Sequence, residues 1–500
     1  MAAMDVVTRP GATLETLRLS EGYAALGVRF VERRDPTPLS EPYPIAVNPD
    51  VARLLELDED QLHRPEFLRV SAGCARFGPV RPFAAVYAGH QFGTFVPQLG
   101  DGRAITLGEL ETGAGPFEWQ VKGAGETAFS RFGDGRAVLR STIREYLASE
   151  AMAALGIPTT RALAIAGSDD PVFRERPETA AVLTRVAPSH LRFGTFEFFH
   201  YRGEFDAVKT LADYTVSRFY PELQAIADDG ERYATFLRAV TVRTAHLIAH
   251  WQAVGFAHGV MNTDNMSILG LTLDYGPYGF LDAYDAGFIC NHTDEAGRYS
   301  FERQPTIGLW NCSALAAALS SLVAKPDTEA ALAAYEPAFQ SAFLALLRQK
   351  FGLENAQDGD AGLFLACLEA LQTGHVDYTN FFRALGGLTR ASTPYDDTLA
   401  LMFENRAEWY DWQRRYRDRL AGEARGDAAR SAAMAAVNPA YVLRNYLAQN
   451  AIEAAEARDY TELSRLHAAL REPFEARPER AAYAAPPPES ARHIVVSCSS

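Results

Sequence analysis

The chain has 500 residues, 48% of them hydrophobic and 22% charged, with a formal net charge of −15. One hydrophobic core rarely grows beyond ~250–300 residues, so two or more lobes are expected. The acidic balance, with no long Lys/Arg run, excludes a nucleic-acid partner of the usual basic-surface kind. The five cysteines, Cys74, Cys290, Cys312, Cys367 and Cys498, form no CxxC pair, so no zinc site is expected. Such an odd, sparse set points to a reducing compartment. The opening MAAMDVVTRPGATLETL lacks a charged-then-apolar leader, and no run of ~18 apolar residues stands out. A cytoplasmic protein without membrane contact is expected.

In chain order, residues 30–57 are Pro-rich and read as a wrapping segment. Between 83 and 121 short apolar runs broken by glycine, FAAVYAGHQFG, RAITLGEL and EWQVKGAG, predict an antiparallel sheet with tight turns. The period then changes. In RAVLRSTIREYLASEAMAALG the apolar positions recur every three to four residues, which predicts an amphipathic helix closed by Gly156 and Pro158. TTRALAIAG and TAAVLTRVA read as further strands. ERYATFLRAVTVRTAHLIAHWQAVG is the clearest helix, with Gly255 as its stop. More helices are expected near 311–324, 328–350, 361–373 and 431–472, and an extended tail from 473. The whole reads as an α+β chain: a sheet-bearing N-terminal lobe over 1–195, a helical C-terminal lobe over 196–475, and a tail over 476–500.

Chemistry concentrates in HGVMNTDNMSILGLTLDYGPYGFLD, residues 258–282. Asn265 and Asp274 offer the oxygen ligands that Mg²⁺ prefers, and Asp264 offers a third ligand or a base. Two ordinary turns would use the same residues. Set against the kinase pattern H-R-D-x-x-x-x-N followed by Asp-Phe-Gly, His258, Asn265 and Asp274-Tyr275-Gly276 fall into place. The kinase base position is Val260, which cannot accept a proton; Asp264 is the substitute. A kinase-like site also needs a lysine at a strand end and a helix glutamate. Lys122 and Glu145 meet that need. The short repeat GDGRA at 100–104 and 133–137 suits anion binding, through close backbone approach at glycine and a planar arginine fork, although each copy also reads as a plain turn. Arg103, Arg136, Arg185 and Arg192 are candidate phosphate partners. His246 and His250 lack the glutamate of HExxH and read as packing residues. Trp119, Trp251 and Trp310 read as core.

Over YAGHQFGTFVPQLGDGRAITLGE, QVKGAGETAFSRFGDGRAVLRSTIREYLASEAM, the 258–282 stretch and the ending SCSS, the chain resembles the selenoprotein O family of protein-adenylylating pseudokinases. The resemblance implies a protein-kinase-like bilobal fold with N- and C-terminal extensions and ATP bound in an inverted orientation. It implies AMP transfer from ATP to Ser, Thr or Tyr hydroxyls of proteins, with loss of pyrophosphate. Carried over, Asp264 is the proton acceptor, and Asn265 and Asp274 hold Mg²⁺, with Mn²⁺ as an alternative. Gly100, Gly102, Arg103, Lys122, Asp134, Gly135, Arg185, Arg192 and Asp274 contact the nucleotide. Glu145 orients Lys122. Asp134 is expected at the ribose, the base or an orienting arginine. Some relatives carry selenocysteine near the C-terminus; here Cys498 stands at that end, and a regulatory Cys290–Cys498 disulfide is expected. Redox enzymes as acceptors and a monomeric state are further expectations. The competing readings are a kinase-like γ-phosphoryl transferase and an inactive ATP-binding scaffold.

Overall fold

The computed structural model describes residues 11–491 together with Ile494 and Val496. Cys498, and with it one end of the expected disulfide, lies outside the described residues.

Strands β1 (Leu19–Ser20), β2 (Val31–Arg33), β3 (Tyr43–Val47), β4 (Phe83–Ala85), β5 (Gly89–Gln91), β6 (Thr94–Val96), β7 (Ala104–Thr112), β8 (Gly115–Lys122), β9 (Ala137–Val138), β10 (Arg161–Phe173) and β11 (Pro177–Ala187) precede nearly all of the long helices. Nine of them form one antiparallel sheet in the order β2–β4–β7–β8–β11–β10–β3, with β1 on β7 and β9 on β11. Among the described residues β5 and β6 pair only with each other. The period of two along a strand decides what the sheet presents on each face. Trp119 and Val121 of β8 join Val182 and Val186 of β11 in a core closed by helices α1 (Pro49–Leu54) and α2 (Pro65–Ser71). Gln120 and Lys122 alternate with them and leave on the other face. There Leu183 and Ala181 meet Ile143 and Leu147 of helix α3 (Leu139–Ala154). The register sets Arg185 opposite Gln120 and Leu183 opposite Lys122, so the two cations project from neighbouring rungs.

Beyond β11 the chain is mostly helical: α4 (Phe193–His200), α5 (Phe205–Phe219), α6 (Asp229–Val254), α7 (Gln304–Ala318), α8 (Lys325–Ala333) and α9 (Tyr335–Lys350), then further helices to 484. α6 is the predicted long helix. Asp228 caps its first turn through Glu231 N, and Gly255 at φ 72° ends it in the left-handed conformation that glycine adopts without strain. α8 and α9 replace the single helix expected over 328–350. Pro337 in the first turn of α9 removes a donor and crowds the preceding turn, which forces the break at Ala334. The helix expected over 431–472 is three: Asp427–Ala435, Asn445–Glu456 and Thr461–Leu470. Pro439 interrupts the first join, and Arg458 at φ 66° the second. Helices Tyr378–Leu385, Tyr395–Ala400 and Arg406–Leu420 were not expected, and the tail after 473 forms short helical turns at Pro478–Arg480 and Ala481–Ala484 instead of running extended. One stretch, Lys325–Lys350, is long and apolar enough by composition to cross a membrane, contrary to the sequence expectation. Here it is the broken pair α8–α9, and α9 packs along α6. Trp119 and Trp251 are buried as expected. Trp310 is only half-buried: α7 turns it outward against His90 and Arg298.

Candidate active site

A cavity of about 680 Å³ opens between the face of β8 and β11 that bears Lys122 and Arg185 and the 258–277 stretch. Its lining brings together Gly100, Gly102, Arg103, Lys122, Asp134, Gly135, Arg185, Arg192, Asp264, Asn265 and Asp274. Of the candidate catalytic, nucleotide-binding, metal and redox residues within the described region, Glu145 and Cys290 are outside that lining. Glu145 stands directly behind it on α3, its carboxylate 2.6 Å from Lys122 Nζ and 2.7 Å from Arg185 Nη1. Cys290 is buried on the far side of the 258–262 loop, with Sγ 3.5 Å from the Ala257 carbonyl.

Asp274 is the centre of the charge cluster. Lys122 Nζ and Arg185 Nη1 both reach its Oδ1 at 2.7 Å, and Arg192 Nη1 binds its Oδ2. Burial works to raise its pKa, but Arg192, Lys122 and Arg185 together hold it well below the usual carboxylate range. Lys122 moves down, because burial penalises its charge more than Asp274 and Glu145 restore it. Arg185 also takes Gln120 Oε1 at 2.8 Å, the partner its strand register dictates. Arg192 donates to the Asp264 carbonyl at 2.6 Å, lies 4.8 Å over the Tyr87 ring and stands 3.9 Å from buried Asp101. Three cations thus face three carboxylates, all of them buried except the half-buried Asp274. Asp274 reaches them because its own backbone turns left-handed, at φ 55°. The bend anticipated at Tyr275-Gly276 is made one residue earlier, by the aspartate, a residue type that tolerates this region.

The 258–265 loop is fixed from below. His258 is buried, accepts from Val260 N at Nδ1 and donates from Nε2 to the Leu273 carbonyl at 2.9 Å. It ties the loop to the residue preceding Asp274 and stays neutral, since burial lowers its pKa. Thr263–Asn265 form a single 3-10 turn. Asn265 donates its amide N–H to the Val260 carbonyl at 3.0 Å and borders the cavity. Burial pushes the Asp264 carboxyl up to about 6, against the pull of Arg192. Its Oδ1 is buried without a hydrogen-bond partner among the described residues, while Oδ2 accepts from Gln91 at 3.2 Å.

Both GDGRA copies border the cavity. Gly100 at φ +78° lies under the Phe129 ring, and Gly135 at φ +66° lies against the Gly125 backbone. A Cβ at either would overlap its neighbour. Thr127 Oγ1 donates to the Asp101 carbonyl at 2.7 Å and Ser130 Oγ to the Gly102 carbonyl, so the 124–136 segment folds back on the first copy. Arg103 makes no ion pair or side-chain hydrogen bond among the described residues and is open to a ligand. Arg136 is committed elsewhere: its guanidinium holds the Thr37 and Pro38 carbonyls, at 2.8 and 2.9 Å. Asp134 accepts a two-pronged pair from Arg174, at 2.8 and 2.9 Å, which favours the orienting-arginine alternative.

A sequence model of the family described as "Protein adenylyltransferase SelO" matches residues 13–471. The chain belongs to this family. Relatives of nearly equal length are similar throughout. The "Protein nucleotidyltransferase YdiU" of Myxococcus xanthus is 52% identical over 490 residues, covering 98% of this chain and 100% of the relative. That of Thiobacillus denitrificans is 52% identical over 491 residues, with the same coverage, and that of Thioalkalivibrio sulfidiphilus 52% over 494, covering 97% and 99%.

Within the SelO framework, four side chains escaped the sequence reading. Asp101 sits inside the first GDGRA copy, between the glycines whose pattern suggests anion binding. Tyr87 and Gln91 lie in YAGHQFG, which carried the resemblance but no chemical role. Arg174, in the β10–β11 turn, has no sequence signal at all. Beside Glu145, Arg144 makes a reciprocal clasp with Tyr278: Arg144 Nη2 donates to the Tyr278 carbonyl and Tyr278 OH to the Arg144 carbonyl, each at 2.9 Å. The guanidinium lies 4.4 Å over the same tyrosine ring, and Nη1 donates to Asn445 Oδ1 at 3.3 Å.

Proposed function

We propose that the 680 Å³ cavity binds ATP and transfers its AMP moiety to a Ser, Thr or Tyr hydroxyl of a protein substrate, releasing pyrophosphate. Membership of the SelO family supports adenylyl transfer with a protein as the acceptor. The observation that carries the assignment to this cavity is the convergence of Lys122, Arg185, Arg192 and open Arg103 beside Asp264, a buried carboxylate with one oxygen unpartnered among the described residues. Transfer at phosphorus is mostly positioning and charge neutralisation, and this set provides both. Lys122, Arg103, Arg185 and Arg192 hold the triphosphate. Gly100, Gly102 and Gly135 let backbone N–H groups approach it. Asp264 takes the acceptor proton. A sheet-bearing lobe and a helical lobe on either side of such a cleft suit a kinase-like arrangement, divided near residue 195.

The donors also suit Mg²⁺. Asn265 and Asp274 are oxygen ligands on the same cavity wall, and Mg²⁺ needs few protein ligands when phosphates supply the rest. When bound, the ion would neutralise charge on the phosphates. A Cys290–Cys498 tether belongs to the same reading. It is supported by buried Val496, whose carbonyl accepts from His292 N at 3.0 Å, two residues from Cys290. Non-reducing peptide mapping after oxidation tests it, and two free thiols would sink it.

The deciding experiment compares α- and γ-phosphate label from ATP, with Mg²⁺ and with EDTA, using self-modification as readout. Transfer of α-label, lost in Asp274→Ala, is expected. Transfer of γ-label would instead establish phosphoryl transfer despite Val260. Binding without any label transfer would establish a scaffold.

A further inference from the structure

The motif YAGHQFGTFV forms the β5–β6 hairpin, which stands outside the main sheet. Its backbone is laid onto the Asn262–Asn265 turn at successive positions. His90 N donates to Thr263 Oγ1 at 2.7 Å, and Phe92 N to Asn262 Oδ1 at 3.2 Å and to Tyr299 OH at 3.0 Å. The root is braced by Glu197, which pairs with His90 Nδ1 at 2.5 Å through one oxygen and accepts from Thr263 OH through the other. Gln91 therefore reaches Asp264 from a rigid mount. Its amide is the side-chain donor to Asp264 Oδ2, at 3.2 Å. On the other side Gly89 closes against Oδ1: a Cβ there would stand 2.6 Å from that oxygen. The hairpin grips the carboxylate from two directions, pinning one oxygen and leaving the other unpaired. Gln91 and Phe92 also border the cavity, and Phe92 holds a left-handed φ of 49° at the hairpin tip.

We propose that Gln91 is a positioning residue for AMP transfer: its amide fixes the plane of the Asp264 carboxylate, and the β5–β6 hairpin forms the acceptor-side wall of the cavity. This rests on the AMP-transfer reading. In the step it serves, the acceptor oxygen bonds to the α-phosphorus of ATP and the bond from that phosphorus to the bridging oxygen breaks. Pyrophosphate leaves with the electron pair, and the hydroxyl proton passes to Asp264.

The test is Gln91→Leu, which removes the donor and keeps the bulk. Single-turnover transfer of α-labelled AMP, ATP affinity and melting temperature are measured on the full chain. The rate is expected to fall by roughly tenfold or more, because sub-ångström misplacement of a reacting group is costly, while ATP affinity stays within about twofold. In an Asp264→Ala background the same substitution is expected to change nothing, since residues acting through one group are not additive. A wild-type rate in Gln91→Leu overturns the inference, as does an equal loss in both backgrounds. Should Gln91→Leu prove unstable, Gly89→Ala displaces the carboxylate from the opposite side and must also slow transfer; a wild-type rate there is equally fatal. Absence of α-label transfer by the wild-type chain overturns the AMP-transfer reading and this inference with it. Normal transfer by the variants overturns this inference alone.

Discussion

Asp274→Asn tests the charge cluster most directly. Lys122, Arg185 and Arg192 carry +3, and Glu145, Asp274 and Asp101 carry −3, so the nucleotide-free cluster sums to zero. The substitution leaves the shape intact and makes the sum +1, with Arg192 facing only Asp101 at 3.9 Å. Breaking a buried pair by removing one partner costs about 3–5 kcal/mol. Unfolding entropy of about 2.1 cal/mol/K per residue gives about 1 kcal/mol/K for 500 residues. The melting temperature of nucleotide-free protein should therefore fall by about 3–5 °C. ATP should counter this, because the triphosphate restores negative charge among the same cations. In EDTA, saturating ATP should raise the melting temperature of the variant more than that of the wild type. Differential scanning fluorimetry with and without ATP measures both effects. A variant that melts with the wild type when empty, or gains no more from ATP, would refute the idea that Asp274 is the counter-ion of a phosphate-shaped cation set.

Asp264→Asn should lower AMP transfer by about 10²–10⁴-fold with ATP binding retained, as measured by single-turnover labelling and titration. The pH profile follows from the same group. Burial raises its folded pKa to about 6, and a base works only when ionised, so wild-type kcat/KM should fall as pH drops through about 6. A profile flat from pH 5 to 8 would contradict the role. Asp134→Asn removes the charge that holds Arg174; the KM for ATP should rise by roughly tenfold with a smaller change in kcat, on the view that the pair orients the second glycine turn. Gly135→Ala forces a Cβ into the Gly125 backbone at φ +66°, and a loss of about 1–3 kcal/mol in chemical denaturation is expected.

The two long helices and the strands of the central hairpins were readable because their patterns are strong and their ends are punctuated, as at Gly156 and Gly255. The short pieces were not. Strand β2 has three residues and α1 six, too few for a period to register, and their place is set by packing onto the sheet. Proline and a left-handed arginine cut helices that hydrophobic spacing alone would have joined. At the site, residues in motif positions were visible, whereas those brought in by tertiary contact were not. Asp134 is instructive: its partner Arg174 is 40 residues away across a strand pair, so no local reading could choose among its roles. Glu145 is buried because two cations from separate strands meet it there, a convergence no local pattern displays.

The clasp between Arg144 and Tyr278 has a bearing on control. It welds the helix carrying Glu145 to the segment carrying Asp274, with two backbone carbonyls, a ring face and Asn445 all engaged. An off state made by swinging that helix away would have to abandon every one of these contacts at once. Lys122, Glu145, Arg185 and Asp274 are thereby held as one ionic unit across the two segments.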